Sequence, residues 1–290
     1  MKTNGSTRIY NGDCVKYLTG GEIRDVALTF VDPPFRQGKE YRYFDDTQPE
    51  EKYWDWMEEV LRSVCAVTLD GGAVYFMQRE KNAEDVLRVI RNSGWSYQNL
   101  IVWKKKTSAV PCDIRYAKQY QIIVFATKGE RPRLFNKLRI DLAPAPEHKY
   151  ARPNGVFLTD VWDDIRELTS GYFAGDEAIR ELNGDRAHVQ QSPVALLLRI
   201  VLSSTRPGDT VLDPFAGTGT TVVVASQLGR PSVGIEIDPK NVDLIEKRLN
   251  QKRVADRVDK YRQYYRFTPG LNGVWSVNEP EPAHKEAVDA

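Results

Sequence analysis

Cysteine, histidine and methionine are scarce in this 290-residue chain, at three residues each. Cys14, Cys65 and Cys112 lie far apart with no C-x-x-C pair, which argues against a disulfide framework and against zinc. Such sparse usage fits a reducing, cytoplasmic setting. The histidines are scattered, none with a nucleophile or metal-ligating partner at a recognisable spacing, so no metal site is expected. No apolar run reaches eighteen residues, so no segment is expected to span a membrane. Residues 1–8 are polar and lack the apolar core of a secretory signal. No internal repeat is visible. Net charge is nearly nil, +1 from 41 Lys/Arg and 40 Asp/Glu, and by itself says nothing about a polyanionic partner.

What is present is unevenly placed. Residues 104–152 hold twelve Lys/Arg against four Asp/Glu, an excess of +8, which leaves −7 on the rest of the chain. A basic segment on an acidic body is the pattern of an electrostatic footprint on phosphates, or of a solvated lysine-rich surface. Hydrophobic residues make up 41% of the chain, enough for a core. Strand and helix patterns alternate, which favours a mostly parallel sheet covered on both faces. Strands are expected at 8–10, 26–31, 73–77 (after a unit closed by Gly71-Gly72), 96–103, 121–126, 211–213 and 232–236. The short separation of 96–103 from 121–126 suits an antiparallel edge. Helices are expected at 13–18, 51–67, 83–91, 193–204 (with Ser192 as N-cap and Pro193 at N1) and 220–228. A long charged helix with a possible interruption is expected at 242–265. Trp54, Trp56 and Trp95 are expected in or near the core. Residues 128–187 break the alternation with four prolines and no long periodic run, and read as an insertion. Residues 266–290 read as a loose tail.

Two stretches carry chemistry. Asp32-Pro33-Pro34-Phe35 ends an apolar run; the prolines stop the strand because neither can donate to a ladder. Asp213-Pro214-Phe215-Ala216-Gly217-Thr218-Gly219-Thr220-Thr221 ends another and opens a helix. Its glycines let backbone approach a ligand closely, and helix-start N–H groups suit a carboxylate. Glu236, twenty-three positions after Asp213, sits near the spacing of an acid that takes ribose hydroxyls. The neighbouring Asp238-Pro239 reads better as a helix entry. A nicotinamide oxidoreductase would offer similar features, but the third glycine of G-x-G-x-x-G is absent and Asp32 to Phe35 would have no role.

Together, Asp32 to Phe35, the loop from Asp213 and Gly234-Ile235-Glu236-Ile237-Asp238 resemble the S-adenosylmethionine-dependent amino-methyltransferases of DNA. The base-methylating motif precedes the cofactor loop, as in the circularly permuted β class. The resemblance implies a class I methyltransferase Rossmann-like α/β fold: a mostly parallel sheet with one antiparallel edge strand, circularly permuted, with an inserted target-recognition region at 128–187. The catalytic domain would comprise 1–127 and 188–265. By resemblance Asp213, Phe215, Ala216, Gly217, Thr218, Gly219 and Thr220 hold the methionine end of the cofactor, and Glu236 its ribose. His188-Val189-Gln190-Gln191-Ser192-Pro193 is similar to the family's His-x-x-Gln-Lys-Pro, which places His188, Gln191 and Ser192 at the methionine, with serine where lysine is common. Gly12-Asp13-Cys14 resembles the element beside the cofactor adenine.

Asp32 would accept an N–H of a flipped base's amine, the Pro33 carbonyl the other, with Pro34 shaping the turn and Phe35 stacking on the base. Trp103-Lys104-Lys105-Lys106 resembles the family's Trp-x-Lys strand end, with Lys104, Lys105 and Lys106 as candidate phosphate contacts. Asp-Pro-Pro favours adenine N6 over cytosine N4 by resemblance alone. The expected protein is a DNA methyltransferase, of a restriction–modification system or an orphan modifier, with a homodimer among the assemblies the resemblance allows. RNA as the polymer, and a non-catalytic nucleic-acid-binding module of the same fold, remain open.

Overall fold

The structure is a computed structural model that describes residues 1–107, 111–142, 152–168, 175–180, 184 and 190–275. In chain order its elements are β1 (Lys2–Asn4), β2 (Thr7–Asn11), α1 (Cys14–Thr19), β3 (Val26–Val31), α2 (Glu50–Val67), β4 (Thr68–Arg79), α3 (Ala83–Asn92), β5 (Trp95–Lys104), β6 (Tyr120–Lys128), β7 (Arg139–Ile140), β8 (Val156–Phe157), β9 (Val161–Trp162), α4 (Val194–Ser204), β10 (Thr210–Asp213), α5 (Thr220–Gln227), β11 (Ser232–Glu236), α6 (Pro239–Asn250) and α7 (Leu271–Trp275). Nine strands form one sheet in the order β1-β2-β11-β10-β3-β4-β6-β5-β9. Among the described residues no helix is long and apolar enough to cross a membrane.

Alternation along the strands builds two helical layers. Leu28 and Phe30 of β3, Tyr75 and Met77 of β4, and Ile123 and Phe125 of β6 face α4, α5 and α7. Val31, Val74, Phe76, Ile122 and Val124 face α1, α2 and α3. Strand β3 is buried along its whole length, as befits a centre covered on both sides.

The antiparallel pair expected from 96–103 and 121–126 does not form the edge. β6 lies inside the sheet, antiparallel to both β4 and β5, while β9 forms the edge beyond β5 and runs parallel to it. At the far edge β1 pairs antiparallel with β2. Gly71 and Gly72 do not close a unit before the strand; they lie within β4, where the pairing with β3 shifts register between Val26 and Leu28. The charged helix ends at Asn250 and is followed by 3₁₀ turns at Val254–Asp256 and Asp259–Tyr265. The buried Asp256 carboxylate draws Arg248 and Arg253, each at 2.7 Å, and folds the chain back.

Part of the expected tail is not loose. α7 buries Leu271, Val274 and Trp275, and the guanidinium of Arg230 donates to the carbonyls of Val274 and Trp275. Among the described residues of 128–187, Leu138, Ile140, Trp162 and Ile165 pack into the core beside α4.

Candidate active site

Strands β2, β11, β10 and β3 are parallel, so their carboxyl ends meet along one side of the sheet. From β3 the chain moves toward β4; from β10 it moves toward β11, the opposite way. The crevice at such a reversal is where open α/β sheets bind ligands. Asp13, Asp32, Asp213 and Glu236 all sit at or just past these strand ends, and all four line a cavity of about 480 Å³, within the size range of small-molecule sites.

The glycine loop forms one wall. Gly217 and Gly219 have φ of 51° and 81°. A Cβ on Gly219 would lie 2.7 Å from Ile245 Cγ1, so glycine alone lets the loop close on α6. Glu236 anchors the loop by accepting the Gly217 N–H at 2.7 Å and the Asp238 N–H at 2.8 Å. Asn241 Nδ2 adds a second bond to Oε1 at 3.3 Å, so it is Oε2 that keeps a lone pair for a further donor. Arg248, paired with Asp256, donates to the Thr218 carbonyl. Asp213 accepts the Phe215 N–H at 3.0 Å. Asp13 caps α1 through the Lys16 N–H at 3.1 Å, beside the buried Cys14.

A second wall was not foreseen. The Asp46 carboxylate, itself buried, accepts the N–H groups of Arg36, Gln37 and Lys39 at 2.8 to 3.0 Å. Folded about it, the loop presents Tyr41 and Phe44 to the cavity. Phe44 lies 4.9 Å from Trp56, and Trp56 meets Phe215 edge-on at 5.5 Å. Trp54 and Trp95 are buried as expected, but Trp56 is half-exposed and lines the cavity.

Asp32 stands between this cavity and a smaller one of about 220 Å³, lined among others by Phe35, Met77, Trp103, Lys105 and Glu167. Ser192 Oγ donates to Asp32 Oδ2 at 2.9 Å. Asp32 Oδ1 is buried with no hydrogen-bond partner among the described residues. Leaving such an acceptor unmade costs ~1–3 kcal/mol, more when charged, so an orphan here marks a place where a ligand brings the donor. The turn beyond it is braced: Tyr53 Oη donates to the Pro34 carbonyl at 2.7 Å and accepts from Gln78 Nε2 at 2.8 Å.

Burial pushes the Asp32 carboxyl up to about 6, against the Ser192 hydrogen bond and the charges of Lys105 and Lys39. Burial pushes Asp213 up to about 7, with repulsion from Asp32 and Glu236 adding to it. Glu236 is raised by burial as well. A cationic ligand would relieve this crowding of carboxylates.

Several expectations change in detail. Ser192 does not cap α4; Pro193 holds the cap position, the Glu177 carboxylate takes the Val194 N–H, and Ser192 turns to Asp32 instead. Gln191 lines both cavities while its amide ties down Glu177 and Ile179 at 3.0 Å each. Phe35 is a core residue, 2% exposed, that borders the second cavity rather than a free platform. Lys104 and Lys106 are exposed, but Lys105 turns inward, its Nζ 3.5 Å from the Trp103 ring centroid and 2.5 Å from Gln121 Oε1. Burial pulls its ammonium down to about 8, so a phosphate role does not suit Lys105. His188 lies outside the described residues. Asp238 caps α6 through the Lys240 N–H at 2.9 Å, with Pro239 at its start, as expected.

An α/β sheet with a glycine loop and an acid-lined cavity at its switch point, joined through one carboxylate to a second pocket, is built to bring a cofactor against a substrate. The chain belongs to the N6/N4 DNA methylase family, whose pattern it matches over residues 26–247. It is 30% identical over 257 residues to the type II methyltransferase M.BamHI of Bacillus amyloliquefaciens, covering 84% of this chain and 57% of that protein. The chain thus spans little more than half of M.BamHI. It is 29% identical over 262 residues to the DNA adenine methyltransferase YhdJ of Escherichia coli (strain K12), covering 85% and 84%. The cytosine-N4-specific PvuII DNA methyltransferase shares the fold, with a TM-score of 0.64 at 20% identity over 93% of this chain and 94% of that one.

Proposed function

We propose that this chain methylates the exocyclic amine of a base flipped out of DNA, with adenine N6 as the first choice. The observation that carries the reading is Asp32, which lines both cavities and keeps a buried oxygen, Oδ1, with no hydrogen-bond partner among the described residues. S-adenosylmethionine, the family's cofactor, supplies an electrophilic methyl group on a sulfonium sulfur. The larger cavity fits it: three raised carboxylates for a cationic ligand, Glu236 for hydroxyls, and aromatic side chains from Trp56, Phe44 and Phe215 for a planar ring.

The chain's own part in the reaction follows from the second cavity. An exocyclic amine is a poor nucleophile because its lone pair is delocalised into the ring. One N–H donates to Asp32 Oδ1 and the other to the Pro33 carbonyl, which orients the nitrogen and favours a more tetrahedral shape. The Pro34 carbonyl is held by Tyr53, so the turn stays rigid as the base arrives. Fixing the amine in line supplies much of the acceleration. Attack makes the nitrogen strongly acidic, and its proton passes to Asp32 and on to solvent. Lys104 and Lys106, outward on the strand end, are proposed phosphate contacts, and residues 128–187 the region that selects the sequence.

Cytosine N4 is the second reading, supported by the likeness to the PvuII enzyme and by Asp-Pro-Pro accepting either amine. The deciding experiment offers unmodified DNA and, separately, RNA to the purified chain with S-adenosylmethionine, then weighs the nucleosides by mass spectrometry. N6-methyladenine in DNA is expected, and its absence from Asp32→Ala that still binds cofactor. N4-methylcytosine would overturn the base, methylation confined to RNA the polymer, and no methylated nucleoside the activity.

A further inference from the structure

We propose that Lys105 reads the ring nitrogen beside the target amine, so that Asp32 and Lys105 together select a base whose amine neighbours an unprotonated ring nitrogen. The inference deepens the methyl-transfer reading and rests on it. Its basis is the pleat of β5: successive side chains alternate across a strand, so Trp103 and Lys105 share one face while Lys104 and Lys106 point to solvent. The ladder runs on past the strand end through Lys105 N–H to the Gln119 carbonyl at 2.7 Å. Lys105 therefore enters the smaller cavity that also holds Asp32.

The polar groups there are largely engaged by their neighbours. The Trp103 indole N–H goes to the Ile165 carbonyl at 2.9 Å. Glu167 accepts the N–H groups of Lys106 and Thr107, both at 2.9 Å. Lys105 is oriented by Gln121 Oε1 and by the Trp103 ring. An ammonium has three donors and no acceptor, so with one N–H on Gln121 a further N–H is available to the cavity. Asp32 Oδ1 offers an acceptor with no donor. A pocket presenting one acceptor and one donor fits a base edge with a donor and an acceptor side by side.

That edge belongs to adenine (amine at C6, acceptor N1) and to cytosine (amine at C4, acceptor N3). Thymine, and guanine across O6 and N1, present the reverse: a carbonyl faces Asp32 and a ring N–H faces Lys105; guanine's own amine neighbours the acceptor N3 only on the side of the ring next to the sugar. Each then sets acceptor against acceptor and donor against donor, and a site built on hydrogen bonds rejects such mismatches strongly. Lys105 on this account does not touch the phosphates, which fall to its two exposed neighbours.

The test uses duplex DNA carrying the target site, mapped by sequencing DNA methylated in cells that express the chain. The target adenine is compared with 1-deazaadenine, in which N1 is C–H; if the target is cytosine, the pair is cytosine and 3-deazacytosine. Wild type is expected to lose about 10–100-fold in kcat/KM on the analogue, the range for a hydrogen bond to a charged group. Lys105→Met is expected to lose activity on the natural base and to discriminate between base and analogue about 10–100-fold less than wild type does. The analogue's own change in reactivity cancels in this comparison, and a merely structural role would not move it. Lys105→Ala is measured alongside, with cofactor binding by calorimetry as the check that each variant folds. Equal handling of base and analogue by wild type, or undiminished discrimination in a folded variant, overturns the proposal while leaving methyl transfer standing. Absence of methyl transfer by wild type overturns both.

Discussion

Replacing Ser192 by alanine should move the acid limb of the pH–rate profile. The Ser192 hydroxyl donates to Asp32 Oδ2 at 2.9 Å, and burial holds that carboxyl at about 6 against the pull of this bond and of Lys105 and Lys39. Asp213, Tyr41 and Tyr53 also lie within electrostatic reach of it. An ionised carboxylate is the stronger acceptor for an amine N–H, so activity should rise with pH through about 6, level, and decline as Lys105 loses its proton near 8. A hydrogen bond to a charged group is worth ~1.5–3 kcal/mol, and here it favours the ionised form. At 1.36 kcal/mol per pH unit, its loss raises the midpoint by about 1–2 units. At neutral pH the ionised fraction would fall from about nine-tenths to between roughly one-half and one-tenth, and near pH 9 most of it would return. The assay is transfer of radiolabelled methyl to DNA from about pH 5 to 9, with cofactor and DNA subsaturating so that the free enzyme is reported. Ser192→Thr, which keeps the hydroxyl, should restore the profile. A Ser192→Ala enzyme that is slower at every pH with an unmoved acid limb would refute the reasoning.

Gly219→Ala should weaken cofactor binding at least about tenfold and cost ~1–3 kcal/mol of stability, because φ is 81° and the new Cβ meets Ile245 at 2.7 Å; calorimetry and urea melts check both. Trp275→Ala should cost ~3–5 kcal/mol, since the ring is 1% exposed and α7 engages Arg230; a melt within error of wild type would show that α7 contributes little. Asp213→Asn should stabilise the free chain at neutral pH. The folded carboxyl lies near 7, above its ordinary 3.8, so its contribution is intact below about 4 and is lost as pH rises through 7. The variant should gain on wild type across that window by up to about 4 kcal/mol, read as the difference between urea melts at the two ends.

The strand-end chemistry was legible because it is written locally. An apolar run followed by Asp-Pro-Pro, or by an acid and glycines, encodes a strand, its stop and a turn within about ten residues, and parallel pairing then brings such ends together. Strand order is not local, yet a signal for it existed. Ile122 to Ala126 is a continuous apolar run, the mark of a strand covered on both faces, whereas the run to Trp103 opens with the polar Ser96, Gln98 and Asn99, as an outer strand can; weighing this would have put β6 inside β5. Leu271, Val274 and Trp275 are spaced as one helical face, a sign that the tail docks. The break after Asn250 gave no such sign, because Asp256 finds Arg248 only once the chain has turned. Trp56 sits off the buried stripe of α2 that runs through Tyr53, Trp54, Met57 and Val60, which distinguishes a cavity residue from a core one. The inward turn of Lys105 follows from counting twos from Trp103, a step that a view of three lysines as one charge cluster conceals.

The atoms that make this site costly to fold also fit it to its substrates. Asp32, Asp213 and Glu236 are all raised by burial, which at neutral pH is free energy the empty chain gives up. A ligand bearing positive charge returns it, because the ionised carboxylates then gain a partner they lack alone. The unpartnered Asp32 Oδ1 follows the same logic: on the proposed reading an amine N–H supplies the missing donor, and thymine, with a carbonyl in that place, does not. On the proposed reading, selectivity for cofactor and for base comes from one arrangement, buried acceptors left short of donors at the carboxyl ends of adjacent parallel strands. Ser192 and Lys105, on elements far apart in sequence, set how strongly the shared carboxylate is felt in the smaller cavity.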